Sequence, residues 1–161
     1  MQNQDYSLLT LDDYKAYFKS IVDRATFLDN FFYTYAELTD GGKKNRGGTI
    51  FVLEPYSNQI GENINDNVLG DRQGMFVIAK ANNSILEMSD IHAECEKYAY
   101  KVIGEMNRDH KKHVLRAHIS NWSGHVTGRL TAANYTGYAI EFTFHAPINR
   151  FMVKEEADWN D

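Results

Sequence analysis

From about Glu87 or Ser89 to Arg108, the residues Ile91, Cys95, Tyr98, Ala99, Val102, Ile103 and Met106 recur at the i, i+4, i+7, i+8 spacing of one helical face. No other stretch constrains the fold as strongly, because a long helix with one apolar stripe needs an apolar surface to cover it. That surface can be read further along. Tyr138, Ile140, Phe142 and Phe144 alternate with other residues between Tyr138 and His145, the period of two of a sheet with one buried face. A second helix of the same kind is predicted upstream, over Leu11–Ala25, with Leu11, Tyr14, Phe18, Ile21, Val22 and Ala25 on one face. Thr10 reads as its N-cap, and Asp12 and Asp13 sit where carboxylates favour the helix dipole. Lys101, Arg108, Lys111 and Lys112 lie toward the C-terminal end of the 87–108 helix, where cations suit the dipole.

Between and beyond the helices the signals are those of strands and turns. Phe27–Glu37 is dense in aromatics and predicts a strand. Asp40–Gly48 is a polar loop bracketed by glycines. Thr49–Glu54 predicts a strand whose hydrogen bonding Pro55 ends. Residues 56–73 are polar, with few hydrophobes, and predict a long functional or mobile loop. Met75–Ala79 predicts a buried strand that pairs antiparallel with 49–54. Asn82–Ser84 predicts a turn. His113–Trp122 predicts a strand that Ser123-Gly124 breaks or bulges, His125–Leu130 its continuation, and Asn134–Gly137 a turn. The expected fold class is α+β: two main helices on one face of a mostly antiparallel sheet, in the order helix–strands–helix–strands. With 161 residues and no Pro/Gly/Ser-rich linker, one domain over 1–161 is expected, with a C-terminal tail from about residue 147.

Composition narrows the function classes. A 43% hydrophobic chain with 13% aromatics can bury a core. A net charge of −5 disfavours a dedicated nucleic-acid binder but does not exclude a wall past which DNA slides, since an acidic surface avoids sticking to phosphates. Cys95 is the one cysteine, so no intrachain disulfide forms, and it reads as a small buried hydrophobe. Residues 1–5 carry no basic or apolar segment of a signal peptide, and no apolar run approaches the roughly 20 residues of a membrane span. The Asn-x-Ser/Thr triplets at Asn82, Asn121 and Asn134 are expected to be chance.

Chemical motifs fare poorly. Gly42–Gly48 resembles a phosphate loop only in its glycines. Gly48-Thr49 stands where Lys-Ser/Thr would be, and a strand follows instead of a helix. The loop reads as a flexible basic connection or as a contact with an acidic neighbour. His110 and His113 have an i, i+3 metal spacing, but two lysines lie between them; no metal and no cofactor is expected. Ser123 and His125 point to one face of a strand without an orienting acid or a Gly-x-Ser-x-Gly elbow. Asp12/Asp13 and Glu155/Glu156 read as a helix start and a solvated tail. No catalytic residue is expected, and the chain is read as a non-enzyme.

The Leu11–Phe18 helix, the Ile50–Pro55 strand, and the strands at Trp122–Gly124 and Thr136–Phe142 ending in Trp159 give the chain a resemblance. It resembles the phage tail-terminator and tail-completion (neck) proteins, in the style of small phage proteins of Bacteroidetes genomes. The likeness covers most of the chain as a pattern and includes no diagnostic motif. It implies a structural virion protein, assembled in the host cytoplasm. Copies would close into a ring, often a hexamer, that stops the tail tube and joins it to the neck or capsid. The implied partners are other copies, the tail tube and neck or connector proteins, with DNA passing through the lumen unbound and no membrane. Another head–tail connector is the alternative, and a small ligand-binding module or enzyme a more distant one. The candidate subunit or tube contacts are Lys43, Lys44 and Arg46, which can pair with acidic groups on a neighbour, together with the 56–73 segment. Phe151, Met152 and Trp159 lie in a tail that either packs back on its own domain or docks on a neighbour.

Overall fold

The computed structural model describes residues 5–41, 48–62, 68–82, 87–130 and 134–147. In chain order the elements are α1 (Leu11–Arg24), β1 (Asn30–Tyr33), α2 (Thr34–Gly41), β2 (Thr49–Glu62), β3 (Val68–Ala81), α3 (Met88–Lys111), β4 (Ile119–Thr127) and β5 (Tyr135–Pro147). The fold is α+β, as the pattern predicts. A five-stranded sheet runs β1-β2-β3-β5-β4. β1 and β2 are parallel and the other neighbours antiparallel.

The two periodic helices form where the sequence places them. Thr10 closes a capping box: its hydroxyl accepts from the Asp13 amide at 3.1 Å, and the Asp13 carboxylate accepts from the Thr10 amide at 3.2 Å. α1 and α3 lie on one face of the sheet. Their buried residues, Tyr14, Phe18, Ile21, Cys95, Val102 and Met106 among them, share one cluster with Phe51, Phe76, Phe142 and Phe144 of the strands. Each such aromatic contributes about 1.5–3 kcal/mol through burial, and Phe18 alone touches the rings of Phe51, Phe76 and Phe142 at 5.7–5.9 Å between centroids.

A second, smaller cluster occupies the opposite face: Phe32, Leu38, Ile50, Val52, Val77, Ala79, Tyr135 and Ala139. The helix α2 covers it with Leu38. The aromatic run at 27–37 is therefore not one strand. Only Asn30–Tyr33 pairs, and the chain turns at Thr34, whose φ is 73°. Carboxylates decide this. Glu37 accepts from the Tyr33 amide at 2.7 Å and Glu54 from the Tyr35 amide at 2.8 Å. Amides at a helix start have no partner within the helix, and these acceptors outweigh the β-propensity of the aromatics.

Four further expectations are corrected. Pro55 does not end its strand. β2 runs on to Glu62, and the missing Pro amide falls in a register shift between Glu54 and Ser57. The polar stretch 56–73 is not a loop: its described residues are the distal arms of β2 and β3, paired from Ser57↔Gln73 to Glu62↔Val68. Around Ser123 the expected order also changes. Residues 113–118 connect: Leu115 forms an isolated bridge with Tyr6 outside the sheet, Leu115 and Ala117 are buried in the cluster under α1 and α3, and His118 precedes the strand. β4 then runs through Ser123-Gly124, absorbing its irregularity in a register shift between Ser120 and Ser123. Thr136 and Gly137 are not a turn but lie within β5, opposite Lys80 and Ala79. Gly137 is needed for close approach, since a Cβ there would collide with the Ile78 carbonyl.

Candidate functional site

Lys43, Lys44 and Arg46 lie outside the described residues, as do Phe151, Met152 and Trp159. The described parts of the remaining candidate, the 56–73 segment, form the distal half of the sheet.

In this half the two faces differ. On the face shared with α1, Arg72 is 4% exposed. Its Nη1 donates to the Leu8 carbonyl at 2.6 Å and its Nε to Asn58 Oδ1 at 3.3 Å. Its guanidinium lies 4.3 Å from the Tyr56 ring centroid, a cation–π contact. Burial pulls its pKa below the ordinary arginine value, against the smaller opposing effects of Tyr56 and Asp13. Arg72 thus ties the N-terminal segment to the hairpin, and its stem and ring contacts fill space that aliphatic residues fill elsewhere.

The opposite face of the same strands is open. Cross-strand register places Glu54, Met75, Glu141 and Ser123 in one row, Ser57, Gln73 and Thr143 in the next, and Gln59, Asp71 and His145 beyond. Residues opposite one another share a face, so these rows form one polar surface. Asp71 and His145 pair directly across it. A shallow groove of about 510 Å³ crosses the first two rows, lined by Glu54, Ser57, Gln73, Asn121, Glu141 and Thr143 among others. It lies where both register shifts, Glu54/Ser57 and Ser120/Ser123, bend the flanking strands. Burial raises the Glu54 carboxyl above its usual value, with the Tyr35 amide pulling the other way.

Ser123 and His125 are both exposed on β4 and face this surface beside Glu141. Among the described residues no hydrogen bond joins the three, so nothing orients the imidazole toward the hydroxyl as a nucleophile would need. The histidines at the end of α3 behave as a structural group. His110 Nδ1 lies 3.2 Å from the Leu115 carbonyl, and its ring stands 6.2 Å from that of His118. Among the described residues no three His, Cys, Asp or Glu side chains converge as a metal site would require. Cys95 is fully buried on α3 and its thiol is pushed up to about 12, chiefly by burial. A thiolate is therefore disfavoured at neutral pH.

The sequence reading missed one polar cluster, and it is structural. Asp109, 3% exposed, accepts from the Tyr17 hydroxyl at 3.1 Å and from Arg24 at 2.8 Å. Arg24 also reaches Glu105 at 2.8 Å. The cluster locks the C-terminal ends of α1 and α3 together. Its sequence signal was slight: an Asp one turn past Glu105 on the buried side of the α3 stripe. Among the described residues no helix is long and apolar enough to cross a membrane.

No known protein-family description matches the chain, and no curated protein sequence does either.

Proposed function

We propose that this chain is a structural subunit that works by assembling with copies of itself. In the setting its resemblance implies, the copies form a ring that ends a phage tail tube and offers the neck or capsid a docking face. The observation that carries the assembly reading is the distal half of the sheet. Two 14-residue strands hold an extended, polar, solvent-facing surface, anchored from behind by buried Arg72. A rigid, gently grooved surface of hydroxyl, amide and carboxylate groups suits a broad, wet protein contact. The net charge of −5 suits a lumen through which DNA passes unbound. A closed ring joins one face of each copy to a different face of the next, and the polar rows supply one such face. Lys43, Lys44 and Arg46 are the cations proposed to meet an acidic neighbour or the tube.

The test is the mass of the purified chain by light scattering, followed by electron microscopy with tail tubes. A mass above the monomer in solution and rings seated on tube ends are the expected result. Changing Lys43, Lys44 and Arg46 together to Glu should leave the fold intact and impair assembly; normal assembly by that variant rejects their role. The groove beside Glu54 and Glu141 supports a second reading, a small ligand-binding module. A clean monomer whose melting rises with a small molecule would favour that reading instead.

A further inference from the structure

We propose that the outer edge of β4 pairs antiparallel with the β4 edge of a second copy, over Ser123–Thr127 and about a two-fold axis near His125. The inference rests on the self-assembly reading above and names the strand and the partner segment.

β4 is the last strand of the sheet, and among the described residues no strand pairs with its outer side. Exposed edge strands are normally blunted by charged side chains, by proline or by a bulge. From Ala117 to Gly128 there is no Asp, Glu, Lys, Arg or Pro. A bulge is present, but the register shift it makes ends at Ser123. From Ser123 to Thr127 the pairing with β5 is regular, so this half of the edge offers undisturbed backbone donors and acceptors.

The strand is also self-complementary. Val126 is 55% exposed, a large apolar group left at an edge. Antiparallel pairing centred on His125 puts Val126 of each copy opposite Gly124 of the other. Gly124 has no room for a side chain, because a Cβ there would stand 2.7 Å from the Tyr138 ring. The Tyr138 ring fills that space, and the partner's valine packs against the ring. Tyr138 is the register partner of Val126. Its ring also meets Tyr100 of α3 at 6.2 Å, and Tyr100 is itself 53% exposed. An apolar strip thus runs from β4 onto α3 and adds flanking contact toward the roughly 1,200 Å² that stable pairs bury. Charge favours the same site. The chain carries a net −5, so two copies repel over most approaches, and this neutral strand lets them meet without opposing like charges. A ring with unlike faces needs head-to-tail contacts. The β4 pair is therefore the form of the free protein, and ring closure uses other surfaces or opens the pair.

Sedimentation of the full chain tests this. The wild-type chain should sediment at twice the monomer mass. V126K places a lysine on the edge and should weaken pairing roughly tenfold or more, with a melting temperature equal to the wild type's at dilutions where both are monomers. H125C should form an interchain disulfide on mild oxidation, because the two copies meet at that residue. Assembly that V126K does not weaken, or an H125C chain that stays uncrosslinked, overturns the β4 pairing while leaving self-assembly standing. A monomer at every concentration, with no rings on tail tubes, rejects both.

Discussion

At one edge of the sheet, β1 has four residues and its last amide is already bonded to Glu37. At the other, β4 has nine residues and no charged side chain. The β1 edge is short and is capped at its end by its own chain. Thr34 turns out of the strand, α2 folds over the neighbouring face, and Glu37 and Glu54 occupy the amides at the turn. At β4 the protection among the described residues is a bulge over its first half. The comparison shows how a single sheet can end one side as a finished surface and leave the other as a template. Edge strands that face water without protection tend to find a partner, so the asymmetry tells which side of this protein should meet another copy.

The largest effect should come from breaking the capped edge. Leu38 is fully buried and is the α2 side chain within the cluster over β1 and β2. Leu38→Ala should cost about 2–5 kcal/mol of stability, read by urea unfolding, because truncation leaves a cavity under α2. A loss below about 1 kcal/mol would mean that α2 is not what covers this face. Next comes Glu37→Ala, which removes the acceptor of the Tyr33 amide. A cost of about 1 kcal/mol is expected, and the Tyr33 amide should exchange hydrogen faster while β4 amides do not change. Equal acceleration at both edges would erase the contrast.

The smallest effect tests the electrostatics behind the capped edge. Burial raises the Glu54 carboxyl pKa in the folded chain. The folded state therefore holds its proton more tightly than the unfolded state, and stability from this group falls as pH rises through the raised value. Glu54→Gln keeps an oxygen for the Tyr35 amide and removes the charge. Its melting temperature should slightly exceed the wild type's at neutral pH, and the difference should fade as pH is lowered through the carboxylate range. A variant less stable at neutral pH would show that the charge itself, favoured at the start of α2, outweighs its burial.

Much of this is legible in the sequence. Thr10 and the Leu11–Ala25 spacing placed α1, the Ile91–Met106 stripe placed α3, and the alternation from Tyr138 to Phe144 placed the buried face of β5. These signals are local: a cap and a period depend on neighbours within about two turns. The candidate surface was visible only as a polar stretch. Ser57, Gln59, Asp71 and Gln73 alternate with Asn58 and Arg72, which are polar as well, so the period of two carried no hydropathy contrast. What makes these residues strands is their pairing with one another and with Thr143 and His145 of β5, far along the chain.

The sequence by itself determined two amphipathic helices, a buried strand face and an α+β packing, because each element carries its own periodicity. Only the tertiary structure decided where β1 stops, since the acceptor of the Tyr35 amide comes from Glu54 on another strand. It alone decided that the strand continues past Pro55 through a register shift and that Arg72 is a buried anchor. It alone placed β4 at an edge. A strand's register and neighbours are settled by contacts distant in sequence, and those contacts leave no mark on local composition.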